Sequence, residues 1–223
     1  MYNWAATLTS ENNVVSENHA KKNGGGIANY AHTTTRADVT IIGSKISSNV
    51  ADLNGGGIWN FAVSGVIGDV ATWADVTIIG SEISSNVADL HGGGIWNFAE
   101  IGENNVAKVT VTDSTIGGML PENGNTATKG DGGGIFNQGL NTGMIVRGST
   151  IAQNRAANGG GGGIFNWGNT AVSGSDIYWN YAYYGGGIAN WGLLVSRDSF
   201  ENQIPFVWSQ VHDNTDGNVW VPE

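Results

Sequence analysis

The sequence predicts an all-β chain wound as a right-handed, single-stranded parallel β-helix (a β-solenoid) of about six to seven coils, each made of three short strands. Three observations predict it: a tandem repeat, short runs of alternating Val and Ile, and a composition that disfavours helix. Gly occupies 36 of 223 positions with only 3 Pro, so the chain is Gly-rich without being collagen-like. Hydrophobic content of 40% is enough for a packed core. Gly, Asn, Ser, Thr and Val all rank low in helix propensity.

Each element of the repeat has its own pattern. Gly-Gly-Gly-Ile ends at Ile27, Ile58, Ile95, Ile135, Ile164 and Ile188, and Asn stands two residues later each time. Ser-x-Ile-x-x-Asn precedes the glycines, as Ser44-Ile46-Asn49, Ser81-Ile83-Asn86, Ser149-Ile151-Asn154 and Ser175-Ile177-Asn180. Weaker copies are Val15-Asn18, Ser209-Val211-Asn214 and Ser114-Ile116, where an insertion with Pro121 delays the Asn to Asn125. Upstream lies an alternating strand with inward pairs Val39-Ile41, Val76-Ile78, Val109-Val111, Met144-Val146, Thr170-Val172 and Leu193-Val195. Residues 37–62 and 74–99 are near-duplicates that differ only at Lys45/Glu82 and Asn54/His91.

Spacing between successive Ile is 31, 37, 40, 29 and 24 residues, whereas the second-motif Asn always lies 8 to 10 residues before the next Ile. One corner is therefore fixed, and loops fall after Gly-Gly-Gly-Ile-x-Asn. Parallel crossovers are right-handed by default. Coils at about 4.8 Å each give a rod roughly 30–35 Å long. One domain spans 1–223: an N-terminal cap or cut edge at 1–13, coils at 14–195, and a degenerate coil or C-terminal cap at 196–223 with Pro205 and Pro222.

Asn tolerates left-handed backbone and bonds neighbouring backbone with its amide. Repeated at one corner it predicts a ladder. Two are expected: Asn29, Asn60, Asn97, Asn137, Asn166 and Asn190, and Asn18, Asn49, Asn86, Asn125, Asn154 and Asn180.

The net charge of −10 repels phosphates, so neither nucleic acid nor an anionic membrane surface is an expected partner. No apolar run reaches membrane-spanning length, so direct membrane insertion is not expected either. There is no Cys, hence no disulfide or thiolate metal site. Met1 to Ser10 lacks the basic start and apolar run of a signal peptide, and no N-x-Ser/Thr sequon occurs.

The paired motifs resemble the repeats of chlamydial polymorphic outer membrane proteins and related prokaryotic surface β-helix proteins, which carry GGA followed by Ile, Leu or Val, and F-x-x-N. Here Gly26, Gly57 or Gly94 stands where the family has Ala, and Ile46-Asn49, Ile83-Asn86, Ile151-Asn154 and Ile177-Asn180 stand for F-x-x-N. The resemblance covers about residues 6–195. It implies a surface-exposed or secreted segment, extracellular to a prokaryote, involved in adhesion or serving as a stalk.

No catalytic residue, cofactor or metal site is expected. The column between Ser and Ile reads Lys45, Glu82, Thr115, Thr150, Asp176 and Gln210; the column before the Asn reads Ser48, Ser85, Gln153, Trp179 and Asp213. On this reading no outward column sets two carboxylates on neighbouring coils, as a glycosidase needs. The four His sit in different repeat phases and read as isolated surface residues, and Asp52, Asp89 and Asp131 match no calcium loop. An outward Thr pair, Thr110 and Thr112, is not repeated as an ice-binding array requires.

The candidate binding residues are aromatic. Trp59, Trp96, Phe136 and Phe165 follow the Ile column, with Tyr30, Phe61, Phe98, Gln138, Trp167 and Trp191 beside them. Two readings stay open: contact with glycans or a surface protein, or mutual stacking under the loops at 61–75 and 98–108. The alternative to a non-enzymatic adhesin or stalk is a polysaccharide-active β-helix lyase or hydrolase, or a carbohydrate-binding module. Nothing in the pattern sets an oligomeric state.

Overall fold

In the computed structural model, which describes residues 1–33, 35–64, 71–100, 104–195 and 210–221, the chain is a β-solenoid of about six turns. Ser209, Pro205 and Pro222, with most of the proposed C-terminal cap, lie outside the described residues. Among the described residues every strand pairing is parallel, and the strands form sheets of thirteen, seven and five members. Ile27, Ile58, Ile95, Ile135, Ile164 and Ile188 stand in register, one above the other. Two further rungs lie outside the obvious repeat: Tyr2–Trp4 pairs with Ile27–His32, and Val219–Trp220 pairs with Ile188–Asn190.

The core is a single column of aliphatic side chains, most of them Ile and Val. Val39, Val76, Val109 and Met144 face Ile46, Ile83, Ile116 and Ile151, with the Ile column on the third side. Leu8 and Val15 close it at one end, Leu194 and Val211 at the other. Leu194 corrects the expected inward pair Leu193-Val195. The structure pairs Thr170 with Leu194, so Leu193 and Val195 point outward. Alternation cannot fix the phase of a Leu-Leu-Val run, because either choice buries an aliphatic chain.

The expected three strands per coil need one refinement. The Gly-Gly-Gly-Ile strand and the alternating strand belong to one sheet, and they run on without interruption in Ile135–Arg147 and Ile164–Ser173. Where loops intervene, the strand is divided in two within that sheet, as at Ile58–Val63 and Thr72–Ile79. A two-residue strand then follows the second-ladder Asn, for example Val50–Ala51, Val87–Ala88 and Arg155–Ala156. Two residues show no alternation, so this segment read as a corner.

Three left-handed positions recur along the rod, and the coil with the Pro121 insertion departs at one of them, since Gly124 before Asn125 is extended with φ −63°. The residue before the motif Ser is Gly43, Gly80, Asp113, Gly148 or Gly174, with Asn12 in the same place before Asn13, and φ lies between 49° and 54°. Elsewhere the residue before the ladder Asn, such as Ser48, Gln153 or Trp179, has φ between 52° and 61°. The third is the first glycine of each Gly-Gly-Gly-Ile. The middle glycine is needed for space: a Cβ on Gly56 would stand 2.5 Å from the carbonyl oxygens of Gly93 and Val87.

Both Asn ladders are present, and all their expected rungs but the exposed Asn18 are buried. In the first, Nδ2 of Asn29 donates to Oδ1 of Asn60 at 2.8 Å, and the chain continues through Asn97, Asn137 and Asn166 to Asn190. Asn3 adds a rung below, at 2.8 Å from Asn29. In the second, Asn18, Asn49, Asn86, Asn125, Asn154 and Asn180 are linked the same way, and Asn214 adds a rung above. Each of these Oδ1 atoms also accepts the backbone N–H of the preceding rung, as Asn86 does from Asn49. The other Nδ2 proton goes to the core strand below, as from Asn86 to the Ile46 carbonyl. All the hydrogen-bonding capacity of a buried amide is thus used. A third ladder runs through the motif Ser: the N–H groups of Ser44, Ser81 and Ser114 donate to the hydroxyls of Ser81, Ser114 and Ser149.

Candidate functional site: the aromatic face

The strand after each glycine run turns two residues per coil outward. The column next to Ile holds Tyr2, Ala28, Trp59, Trp96, Phe136, Phe165, Ala189 and Trp220 in register. The column two residues on holds Trp4, Tyr30, Phe61, Phe98, Gln138 and Trp167, continued by Trp191.

The four candidate residues are brought together, but as a second hydrophobic cluster outside the coil. Trp96 and Phe136 are only 9% and 2% exposed; Phe165 is buried, and Trp59 packs against the cluster half-buried. Trp59 and Trp96 stack at 6.3 Å between centroids, Phe61 and Phe98 at 5.2 Å, and Phe136 and Phe165 at 5.0 Å, with planes within 14° of parallel. Rings stacked along the rod use their faces on each other and present edges outward. The indole Nε1 atoms of Trp59 and Trp96 are buried with no hydrogen-bond partner. Such an orphan donor costs about 1–3 kcal/mol, which the stacked, dehydrated rings must offset.

The free rings stand at the ends of the second column. Trp4 is 60% exposed, Trp167 54% and Trp191 47%. Gln138 interrupts the stack, and neither Trp4 nor Trp167 has a ring partner among the described residues. Trp191 leans on Trp220 at 5.3 Å. Beside Trp167, the Asn169 amide donates to the Leu140 carbonyl, and Leu140 itself projects into solvent. Asn166-Trp167-Gly168 and Asn190-Trp191-Gly192 repeat one tripeptide on neighbouring coils. Trp4 escaped the sequence reading because its coil lacks the glycine run, although Asn3-Trp4 repeats the Asn-aromatic pair.

The carboxylate reading is corrected. Asp38 and Asp75 are in register on neighbouring coils, so their backbones lie about 4.8 Å apart. Arg36 bridges them: Nε donates to Asp38 at 2.8 and 2.9 Å, and a terminal nitrogen donates to Asp75 at 2.9 Å. Burial pushes the Asp75 carboxyl above its ordinary value, against the pull of Arg36. Lys108 occupies the next rung. Asp52 and Asp89 also occupy equivalent places on successive coils, their N–H groups bonding Ala20 and Ala51. The duplicated Ala-Asp-Val-Thr places Asp38 and Asp75 in one column, on the strand upstream of the two columns beside the motif Ser and Asn.

The histidines are not isolated either. His91 lies in a column with Asn54 and Asp131. Its N–H donates to Asn54 Oδ1, and its Nδ1 accepts the Asp131 N–H at 3.1 Å. The ring packs on Phe136 at 4.6 Å. Burial holds the imidazole below its usual range, opposed by Asp131. Asp131 Oδ1 accepts the Gly160 N–H and the Tyr184 hydroxyl, whose pKa burial and Asp131 push up to about 12. His19 pairs with Asp52, and His212 stacks on Tyr178. These side chains meet because the glycine run brings one residue per coil to the same place. Among the described residues no three His, Asp or Glu side chains gather as a metal site.

Comparison with known proteins adds no relative: no family model, no curated protein and no solved structure matches this chain.

Proposed function

We propose that this chain is a non-enzymatic β-solenoid segment displayed outside a prokaryotic cell, an adhesin or stalk that binds glycans or a surface protein through its free tryptophans. One observation carries the binding half: an outward column aromatic in six of its seven places, whose unstacked rings are Trp4 and Trp167. A free indole face beside amide groups suits a sugar ring, apolar on one face and hydroxylated at its edge. The extracellular half rests on the paired repeat motifs. The test is binding of the chain to a glycan panel and to bacterial and host-cell surfaces. Trp167→Ala with Trp191→Ala should abolish binding and leave thermal unfolding within about 1 kcal/mol, as expected for exposed positions. Binding unaffected by the pair, or a cytoplasmic native protein, overturns the proposal.

A second reading has its own observation. Asp38 and Asp75 set two carboxylates on neighbouring coils of one face, the kind of pair a glycosidase uses, and burial favours the protonated form of Asp75. That supports a polysaccharide hydrolase. Against it, Arg36 occupies both carboxylates. A turnover screen on neutral and acidic polysaccharides decides: activity lost in Asp75→Asn establishes the enzyme, and silence across the panel removes it.

A further inference from the structure

A shallow cleft of about 430 Å³ runs along the rod at the corner between the first and second sheets. Its floor is the left-handed column before the motif Ser. Asn12, Gly43, Gly80 and Asp113 follow one another there, each N–H bonded to the coil above. The two side chains of this column lean alike, each over the coil above. Oδ1 of Asn12 lies over Gly43, and Oδ1 of Asp113 lies over Gly148, each 2.5 Å from where a Cβ would stand. Gly80 between them is bare, with nothing within 4 Å of a Cβ. One wall carries Lys45 and Glu82, paired at 3.0 Å and both partly exposed. Thr115 continues that wall on the next coil.

From this geometry we infer that the cleft is a second binding site, separate from the tryptophans, and that its ligand is a neutral polyhydroxylated chain lying along the rod. The Asn12 amide, Lys45 ammonium, Glu82 and Asp113 carboxylates and Thr115 hydroxyl offer donors and acceptors by turns over four coils. Such a lining matches a ligand that both donates and accepts at every unit, as an oligosaccharide does. Two carboxylates against one ammonium repel an anion. The long axis of the cleft follows the coil stack, so the ligand is linear. The floor is open at Gly80 for a ring or a hydroxymethyl group to settle.

The site can be filled without new backbone strain. Asn12 and Asp113 adopt the same left-handed conformation in the same column, with φ of 53° and 49° against 54° at Gly80. Gly80→Asn therefore keeps the fold and places an amide in the cleft. The experiment is titration of the isotope-labelled full chain with cello-, xylo-, malto- and chito-oligosaccharides of two to six units, read on backbone amides. At least one series should give saturable shifts centred on Gly43, Gly80 and Asp113, growing with chain length. Gly80→Asn should weaken that binding about tenfold or more, while Trp167→Ala leaves it unchanged. The shift map on the unmodified chain stands alone should the variant fold poorly. Shifts confined to Trp167 and Trp191 would overturn the cleft and keep the adhesin reading. Shifts from calcium chloride alone, or none with any sugar, would also overturn it.

Discussion

At the residue scale the decisive side chain is asparagine. An interior rung such as Asn86 holds two donors and two acceptances in place. Truncation strands the Asn49 amide and N–H and the Ile46 carbonyl, all in the core. Asn86→Ala should therefore cost about 2–5 kcal/mol, read as a fall in the urea midpoint. Asn18→Ala removes an exposed first rung and should cost about 1 kcal/mol or less. Equal losses would mean that the ladder carries no cooperative weight. His91 makes a contrasting prediction. Its folded pKa lies below its unfolded value, so the unfolded chain binds the extra proton first. Stability is present above pH 6.5 and is lost as pH falls through the folded pKa. His91→Asn restores the residue that its duplicate carries at 54. Thermal unfolding from pH 7.5 to 5 should show a shallower acid slope in the variant, and parallel slopes would rule His91 out as the source. The ladders were legible because one Asn recurs at one phase. The His91–Asp131 contact was not, since a column of Asn, Asn, His and Asp has no common residue type to count.

At the element scale the duplicated coils show how register is kept. Their two differences fall on residues that touch each other: Lys45 pairs with Glu82, and the His91 N–H bonds Asn54. Identical coils would stack Lys on Lys or Glu on Glu. Two interchangeable coils would also gain nothing from the correct neighbour over a slipped one. Lys45→Glu should lower stability by up to about 1 kcal/mol, the range of exposed pairs, and Lys45→Glu with Glu82→Lys should recover it. A thermal-melt double-mutant cycle measures the coupling, and no recovery would assign the loss to something other than charge. Most of this scale was readable in the sequence: the repeat gave the columns, and the glycines gave one corner. The two-residue strand and the Leu194 phase were not, because both are shorter than the period that would reveal them. The aromatic column was legible as outward, but its burial was not. Burial depends on rings from neighbouring coils closing over each other, and no single coil encodes that.

At the scale of the whole molecule each coil touches only the coils beside it, so stability is a sum of nearest-neighbour terms. Interior coils have two neighbours and end coils one. Native-state hydrogen exchange should find the slowest amides between Ile58 and Ile164, with protection falling toward Tyr2–Trp4 and Val219–Trp220. A flat profile would mean that the rod opens only as a unit. The same stacking gives the molecule an electrical sense. In both long ladders every Nδ2 faces the C-terminal end and every Oδ1 the N-terminal end. Amide dipoles so aligned add and polarise one another. At the N-terminal end Asn3 and Asn18 begin the rows with oxygens to which no rung below donates among the described residues. At the other end the rows finish in donors, from Asn190 to the Gly192 carbonyl and from Asn214 to the Asn218 side chain. A rod built this way has a negative pole and a positive pole, set by the direction in which its amides were wound.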